Sequence, residues 1–134
     1  MTASRPPVYI GADHAGFELK EAVKAALAEQ GRDVVDAGTR SAEAADYPDF
    51  AARVARNISQ GTGGRGILIC GSGIGMSITA NRFPGVRAAL CLDVETARLS
   101  RLHNDANILV LAARKTKTDA ALKITAAWLE TPFE

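Results

Sequence analysis

A parallel β-sheet covered by helices on both faces is the fold class that this 134-residue sequence predicts. Three observations carry the expectation. Five strand-like runs alternate with five helix-like stretches from end to end, the pattern of an α/β domain. The run from Gly66 to Cys70 is apolar with no polar alternation, as a strand buried on both faces must be. No repeat, low-complexity segment or linker interrupts the chain, so residues 1–134 read as a single domain of ordinary size.

Each element has its own local reason. Val8 to Ala12 is a short apolar run, the first strand. Phe17 to Gln30 comes next as a helix, with Leu19, Val23, Ala26 and Leu27 on one face and Gly31 where a C-terminal cap belongs. Asp33 to Ala37 is the second strand. Asp46-Tyr47-Pro48-Asp49 opens the next helix, since Asp46 suits an N-cap and Pro48 is tolerated in a first turn. Phe50, Val54, Ala55 and Ile58 form its buried face, and the glycines between Ser59 and Gly66 end it. Gly66 to Cys70 is the third strand, Gly71 to Gly75 a glycine loop, and Met76 to Arg82 a short helix. Val86 to Leu92, Glu95 to Leu102, Asn107 to Ala112 and Thr118 to Glu130 complete a strand-helix-strand-helix ending.

Composition narrows the function. Apolar residues make up 47% and charged residues 23%, a globular balance. A net charge of +1 gives no electrostatic reason to expect nucleic acid or an anionic membrane as partner. Any bound anion must be held by a local site. Met1 to Pro7 has no apolar stretch of the secretory kind, and no apolar run approaches membrane-spanning length, so the expected location is the cytoplasm. Cys70 and Cys91, each closing a buried strand in a reducing compartment, are expected to be free thiols.

In an open parallel sheet, ligands bind beyond the carboxyl ends of the strands, near the point where strand order reverses. Asp13 and His14 come after the first strand, Gly71 to Gly73 after the third, and Arg114 after the fifth. The most informative stretch is Ile69-Cys70-Gly71-Ser72-Gly73-Ile74-Gly75-Met76. Its glycines let the backbone approach a ligand and turn N–H groups inward, and the helix start beyond them favours an anion there. The same field favours thiolate at Cys70. Such a loop holds a negatively charged oxygen beside a reactive sulfur; the bland alternative is a tight turn with an inert buried cysteine. The Walker loop, the dinucleotide fingerprint and the nucleophile elbow all fit the stretch poorly.

His14 and His103 are the only histidines, and together with one thiol they make a poor zinc ligand set. His103 precedes its strand, so it belongs at the amino edge of the sheet, and it reaches Cys70 only if another subunit brings that edge across. Arg40, Arg65, Arg82, Arg87, Arg98 and Arg101 read as solvated surface, as do Glu43, Asp93 and Glu95. Arg114 alone stands on the ligand edge.

Gly11-Ala12-Asp13-His14-Ala15-Gly16, Asp46-Tyr47-Pro48-Asp49, Ile69-Cys70-Gly71-Ser72-Gly73-Ile74-Gly75-Met76-Ser77, Ala80-Asn81, Arg87-Ala88-Ala89 and His103-Asn104-Asp105-Ala106-Asn107 together resemble the ribose-5-phosphate isomerase type B family. That family includes the galactose-6-phosphate isomerase subunits. The resemblance runs in order along nearly the whole chain. It implies a three-layer α/β/α Rossmann-like, doubly wound five-stranded sheet, one sugar-phosphate isomerase domain over 1–134, no metal or organic cofactor, and a homodimer or tetramer with shared sites. The implied reaction is aldose–ketose isomerisation, ribose 5-phosphate to ribulose 5-phosphate in the pentose phosphate pathway, through an enediolate. A related tetrose or hexose phosphate isomerase, or a non-catalytic sugar-phosphate-binding module, is the alternative.

The resemblance also implies roles. Cys70 is the base, Ser72 bonds the sugar near the enediolate oxygen, and His103 of a neighbouring subunit helps open the furanose ring with Asn104 beside it. N–H groups from Gly71 through Gly73 to Gly75 stabilise the oxyanion. Asp13 and Tyr47 contact the sugar, while His14 and Arg114 face the phosphate. Some members replace the cysteine and use a glutamate where Met76 stands; Cys70 with Met76 marks the cysteine-base type. Members usually continue past the Pro132-Phe133-Glu134 stretch into a tail with two phosphate-gripping arginines. Either the sequence is trimmed or phosphate binding rests on His14, Arg114 and Arg40.

Overall fold

The computed structural model describes residues 5–38, 47–61 and 63–134, with the backbone alone at Tyr47. The expectations for Arg40, Glu43 and the Asp46 cap, and for the Tyr47 side chain, lie outside the described residues.

Five parallel strands run in the order β2-β1-β3-β5-β4, with β1 at Val8–Ala12, β2 at Val34–Asp36, β3 at Arg65–Cys70, β4 at Ala88–Leu90 and β5 at Ile108–Ala112. Between them lie α1 (Phe17–Glu29), α2 (Tyr47–Ser59), α3 (Ile74–Ala80), α4 (Val94–Asn104) and α5 (Thr118–Glu130). The period of two along each strand sorts the core into two layers. Val8, Ile10, Ile67, Ile69, Leu109 and Leu111 meet α1, α4 and α5 on one face, through Leu19, Val23, Leu27, Ala97, Ile124 and Trp128. Leu68, Cys70, Ile108 and Val110 meet α2 and α3 on the other, through Val54, Ala55, Ile58, Met76 and Ala80. The result is the expected three-layer, doubly wound sheet. Among the described residues, no helix is long and apolar enough to cross a membrane.

Caps set the helix ends. Gly31 takes a left-handed φ of 74°, and the Arg32 N–H reaches back to the Leu27 carbonyl, closing α1 at the predicted glycine. Asp93 caps α4, its carboxylate accepting from the Thr96 N–H at 2.7 Å. The Val86 to Leu92 run yields only a three-residue strand, because β4 is an edge strand with one partner. Asn81 covers part of its free side: its amide donates to the Ala88 carbonyl at 3.0 Å and accepts from the Ala88 N–H at 2.8 Å. Helix α3 starts two residues earlier than its apolar pattern indicates, at Ile74.

Two arginines expected on the surface are not there. Arg101 is buried, bonded to the Ala106 and Thr131 carbonyls and paired with Asp105 at 2.9 Å. Arg65 is half-buried, its guanidinium 5.5 Å from the centroid of the Trp128 ring. Both stack on one indole, which a residue-by-residue surface prior does not foresee. Lys20, within α1, is likewise fully buried. Its Nζ lies 2.6 Å from Asp36 and 3.1 Å from Glu21. Burial raises the Asp36 pKa, but hydrogen bonds from Lys20, Lys24 and the Gly38 N–H outweigh it and hold the carboxyl at about 2.

Candidate active site

Strand β1 ends beside β3, Ala12 against Ile69, and the chain leaves β1 for β2 on one side and returns to β3 on the other. That reversal opens a crevice at the carboxyl edge. A cavity of about 190 Å³ occupies it, lined by Asp13, His14, Ala15, Cys70, Gly71, Ser72, Gly75 and Arg114. The end of β1, the loop after β3 and the turn after β5 are thereby brought together from distant parts of the chain.

The turn after β1 is held against β3 by its backbone. The Asp13 N–H bonds the Ile69 carbonyl at 3.3 Å, and the buried Asp13 carboxylate accepts from Gly16 at 3.1 Å, forming one 3₁₀ turn over His14–Gly16. A Cβ at Gly16 would stand 2.6 Å from the Ile69 carbonyl oxygen, so only glycine allows the turn to sit this close. His14 is carried outward on that turn and is exposed.

The loop after β3 is built around the sulfur. Cys70 falls on the α2/α3 face by strand alternation, beside Met76, and is buried except where it meets the cavity. The Gly73 N–H donates to its Sγ at 3.1 Å. This bond orients the sulfur and stabilises negative charge developing on it. The donor can point back because Gly73 has φ 79°, and a Cβ there would meet Leu90 Cδ1 at 2.4 Å. The Ile74 N–H is engaged by Ser72 Oγ at 3.2 Å. Two of the loop's N–H groups therefore act within the loop. Gly71, Ser72 and Gly75 are the loop residues after Cys70 that reach the cavity wall, whereas Gly73 acts on the sulfur.

The turn after β5 closes the third side. The Ala113 N–H bonds the Cys70 carbonyl at 2.8 Å and the Arg114 N–H bonds the Gly71 carbonyl at 3.0 Å. A Cβ on Gly71 would lie 3.2 Å from Arg114 Cζ, which puts the guanidinium across the glycine loop, with its charge at the cavity. Among the described residues, no three of His, Cys, Asp and Glu converge as a metal site would require.

Not every candidate gathers here. His103 is exposed in the last turn of α4, ahead of β5, hence on the amino side of the sheet. Asn104 lines a different cavity of about 340 Å³, with Asn81, Arg87 and Ala88 beside the start of edge strand β4. Cys91 is also remote, enclosed between β4 and α4. Burial pushes its thiol up to about 11, with Asp93 adding to the rise and Ser100 opposing it.

Three comparisons bear on this arrangement. The family model described as Ribose/Galactose Isomerase matches residues 8–134. Ribose-5-phosphate isomerase B of Escherichia coli is 45% identical over 127 residues, covering 95% of this chain and 85% of that protein. A crystal structure of ribose 5-phosphate isomerase from Thermotoga maritima is 51% identical with a TM-score of 0.92, over 95% of this chain and 88% of that one. Ribose-5-phosphate isomerase B from Mycoplasma genitalium, solved with bound ribulose-5-phosphate, is 36% identical with a TM-score of 0.94, over 98% and 88% respectively.

Proposed function

The chain belongs to the ribose/galactose isomerase family, and we propose that it interconverts ribose 5-phosphate and ribulose 5-phosphate with Cys70 as the base. It is an aldose–ketose isomerase whose substrate is a sugar phosphate. The observation that carries the base assignment is a thiol opening on the crevice between β1 and β3, with a backbone N–H aimed at its sulfur.

The reaction then runs with its protons balanced. The Cys70 thiolate takes the C2 proton of the open-chain aldose, leaving an enediolate whose charge rests on the oxygen at C1. The N–H groups at Gly71, Ser72 and Gly75 face that oxygen, and Ser72 bonds the sugar beside it. Once the C2 hydroxyl proton has moved to the C1 oxygen, the thiol returns its proton to C1 and the ketose is complete. Asp13 and Tyr47 hold sugar hydroxyls, while His14 and Arg114 take the phosphate, Arg114 through a charged fork suited to it. His103 and Asn104 of a second copy open the furanose ring. That last role makes the enzyme a homodimer or tetramer, and the cytoplasm is the location we assign.

An isomerisation assay over aldose phosphates of four to six carbons tests the substrate. Ribose 5-phosphate should give the highest kcat/KM, and a tetrose or hexose phosphate surpassing it would reassign the enzyme. Site sharing has its own test. Mixing inactive Cys70→Ala with inactive His103→Ala under subunit exchange should return roughly half the activity per heterodimer, because one of its two sites carries neither lesion. Exchange without recovery would return His103 to its own subunit or remove it from the reaction.

A further inference from the structure

The amino edge of the sheet, opposite the crevice, holds a second basic cavity of about 190 Å³. Arg5 just before β1, Arg32 just before β2 and Arg65 at the start of β3 line it, with Pro6, Val8 and Leu129. Among the described residues, none of the three arginines stands in an ion pair; the acidic partners go to Lys20, Lys24, Arg87 and Arg101. Arg5 donates to the Gln30 carbonyl at 2.8 Å, and Arg65 to the Leu129 carbonyl at 3.2 Å. These bonds fix the two guanidiniums without neutralising them. Arg32 differs, because its buried Nε has no hydrogen-bond acceptor. The Trp128 indole, over which Arg65 stacks, also keeps a buried N–H without an acceptor.

Three convergent positive charges and an orphaned donor are an expensive arrangement unless something supplies acceptors. Mutual repulsion acts in the same sense. Burial first, and then Arg5, weaken the proton affinity of the Arg32 guanidinium, with Glu130 partly offsetting them. Burial, Arg101 and Arg32 do the same to Arg65, against Asp105.

We propose that this cavity binds a compact, multiply charged oxyanion of the phosphate class, at a site separate from the catalytic crevice. Planar guanidinium forks suit phosphate oxygens, and a double negative charge answers three arginines better than a carboxylate does. The volume is below the roughly 300–1,000 Å³ usual for pockets that enclose larger ligands, so inorganic phosphate or a single phosphoryl group fits and a whole nucleotide does not. The bound anion ties the residues before β1, the α1–β2 turn, the start of β3 and the end of α5 together, so its effect is on the stability of the fold. The site does not depend on the isomerase reading.

The test is thermal unfolding of the full chain titrated with inorganic phosphate, against potassium chloride and potassium acetate at equal ionic strength. At a tenfold excess over its dissociation constant, phosphate should raise the wild-type midpoint by roughly 3–6 °C, saturably. Arg32→Gln and, independently, the surface variant Arg5→Gln should lose more than half of that rise while keeping isomerase kcat within about twofold. Arg114→Ala, which removes only what phosphate binding in the catalytic crevice adds, should keep more than half of the rise. A rise retained by Arg32→Gln and Arg5→Gln, lost with Arg114→Ala, or matched by acetate or chloride would overturn the assignment.

Discussion

Cys70 ends β3 and Cys91 directly follows β4, on either side of β5 in the same sheet; both are free thiols and both are buried, yet their surroundings prepare them for opposite fates. After Cys70 comes a glycine loop that returns an N–H to the sulfur and leaves it open to a cavity. After Cys91 comes an Asp93-capped helix, and the thiol is sealed against Ala89 and Ser100, where burial holds it protonated. Position at a strand end does not make a cysteine reactive. The loop beyond the strand does, because a left-handed glycine can turn a donor back onto the side chain three residues before it.

The largest effect should come from deleting each thiol in turn. Cys70→Ala should lower kcat by about 10²–10⁴-fold with little change in KM, as loss of a proton-transferring base does. Cys91→Ala should leave kcat within about twofold. Comparable kcat losses in both variants would erase the contrast and move the base elsewhere.

Next is the residue that separates the two environments. Gly73→Ala puts a Cβ onto Leu90 in a left-handed backbone, which should cost roughly 2–5 kcal/mol of stability from strain and overpacking together. Any shift of the Gly73 N–H off the sulfur should also lower kcat. A variant with wild-type stability and kcat in denaturation and activity assays would show that the loop does not depend on this glycine.

Smallest, and specific to Cys91, is a pH effect. Its folded pKa of about 11 lies above the ordinary 9.0, so the unfolded chain releases this proton first. The stabilisation is whole below pH 9 and is lost as pH rises to about 11, a difference of roughly 2–3 kcal/mol. Denaturant unfolding at pH 8 and pH 11 should show a fall in the wild type that Cys91→Ala reduces by about that amount. Equal falls in the two proteins would mean that Cys91 is not protonated by burial.

Local signals decided much of this protein. Apolar runs, the Gly31 cap and the glycine loop after Cys70 specify the alternating elements and mark the carboxyl edge, because periodicity and cap chemistry act over a few residues. A fragment as short as Ile69 to Met76 already carries the thiol and its loop. Strand order, which sets β1 beside β3 and so brings Asp13, Cys70 and Arg114 to one cavity, was settled by packing across the sheet. Packing also decided which charges are buried. Lys20, Arg65 and Arg101 look like surface residues in isolation, and Arg5, Arg32 and Arg65 come from three separate segments of the chain. Desolvation and pairing depend on neighbours from distant segments, and those neighbours exist only after the sheet has closed and the helices have covered it.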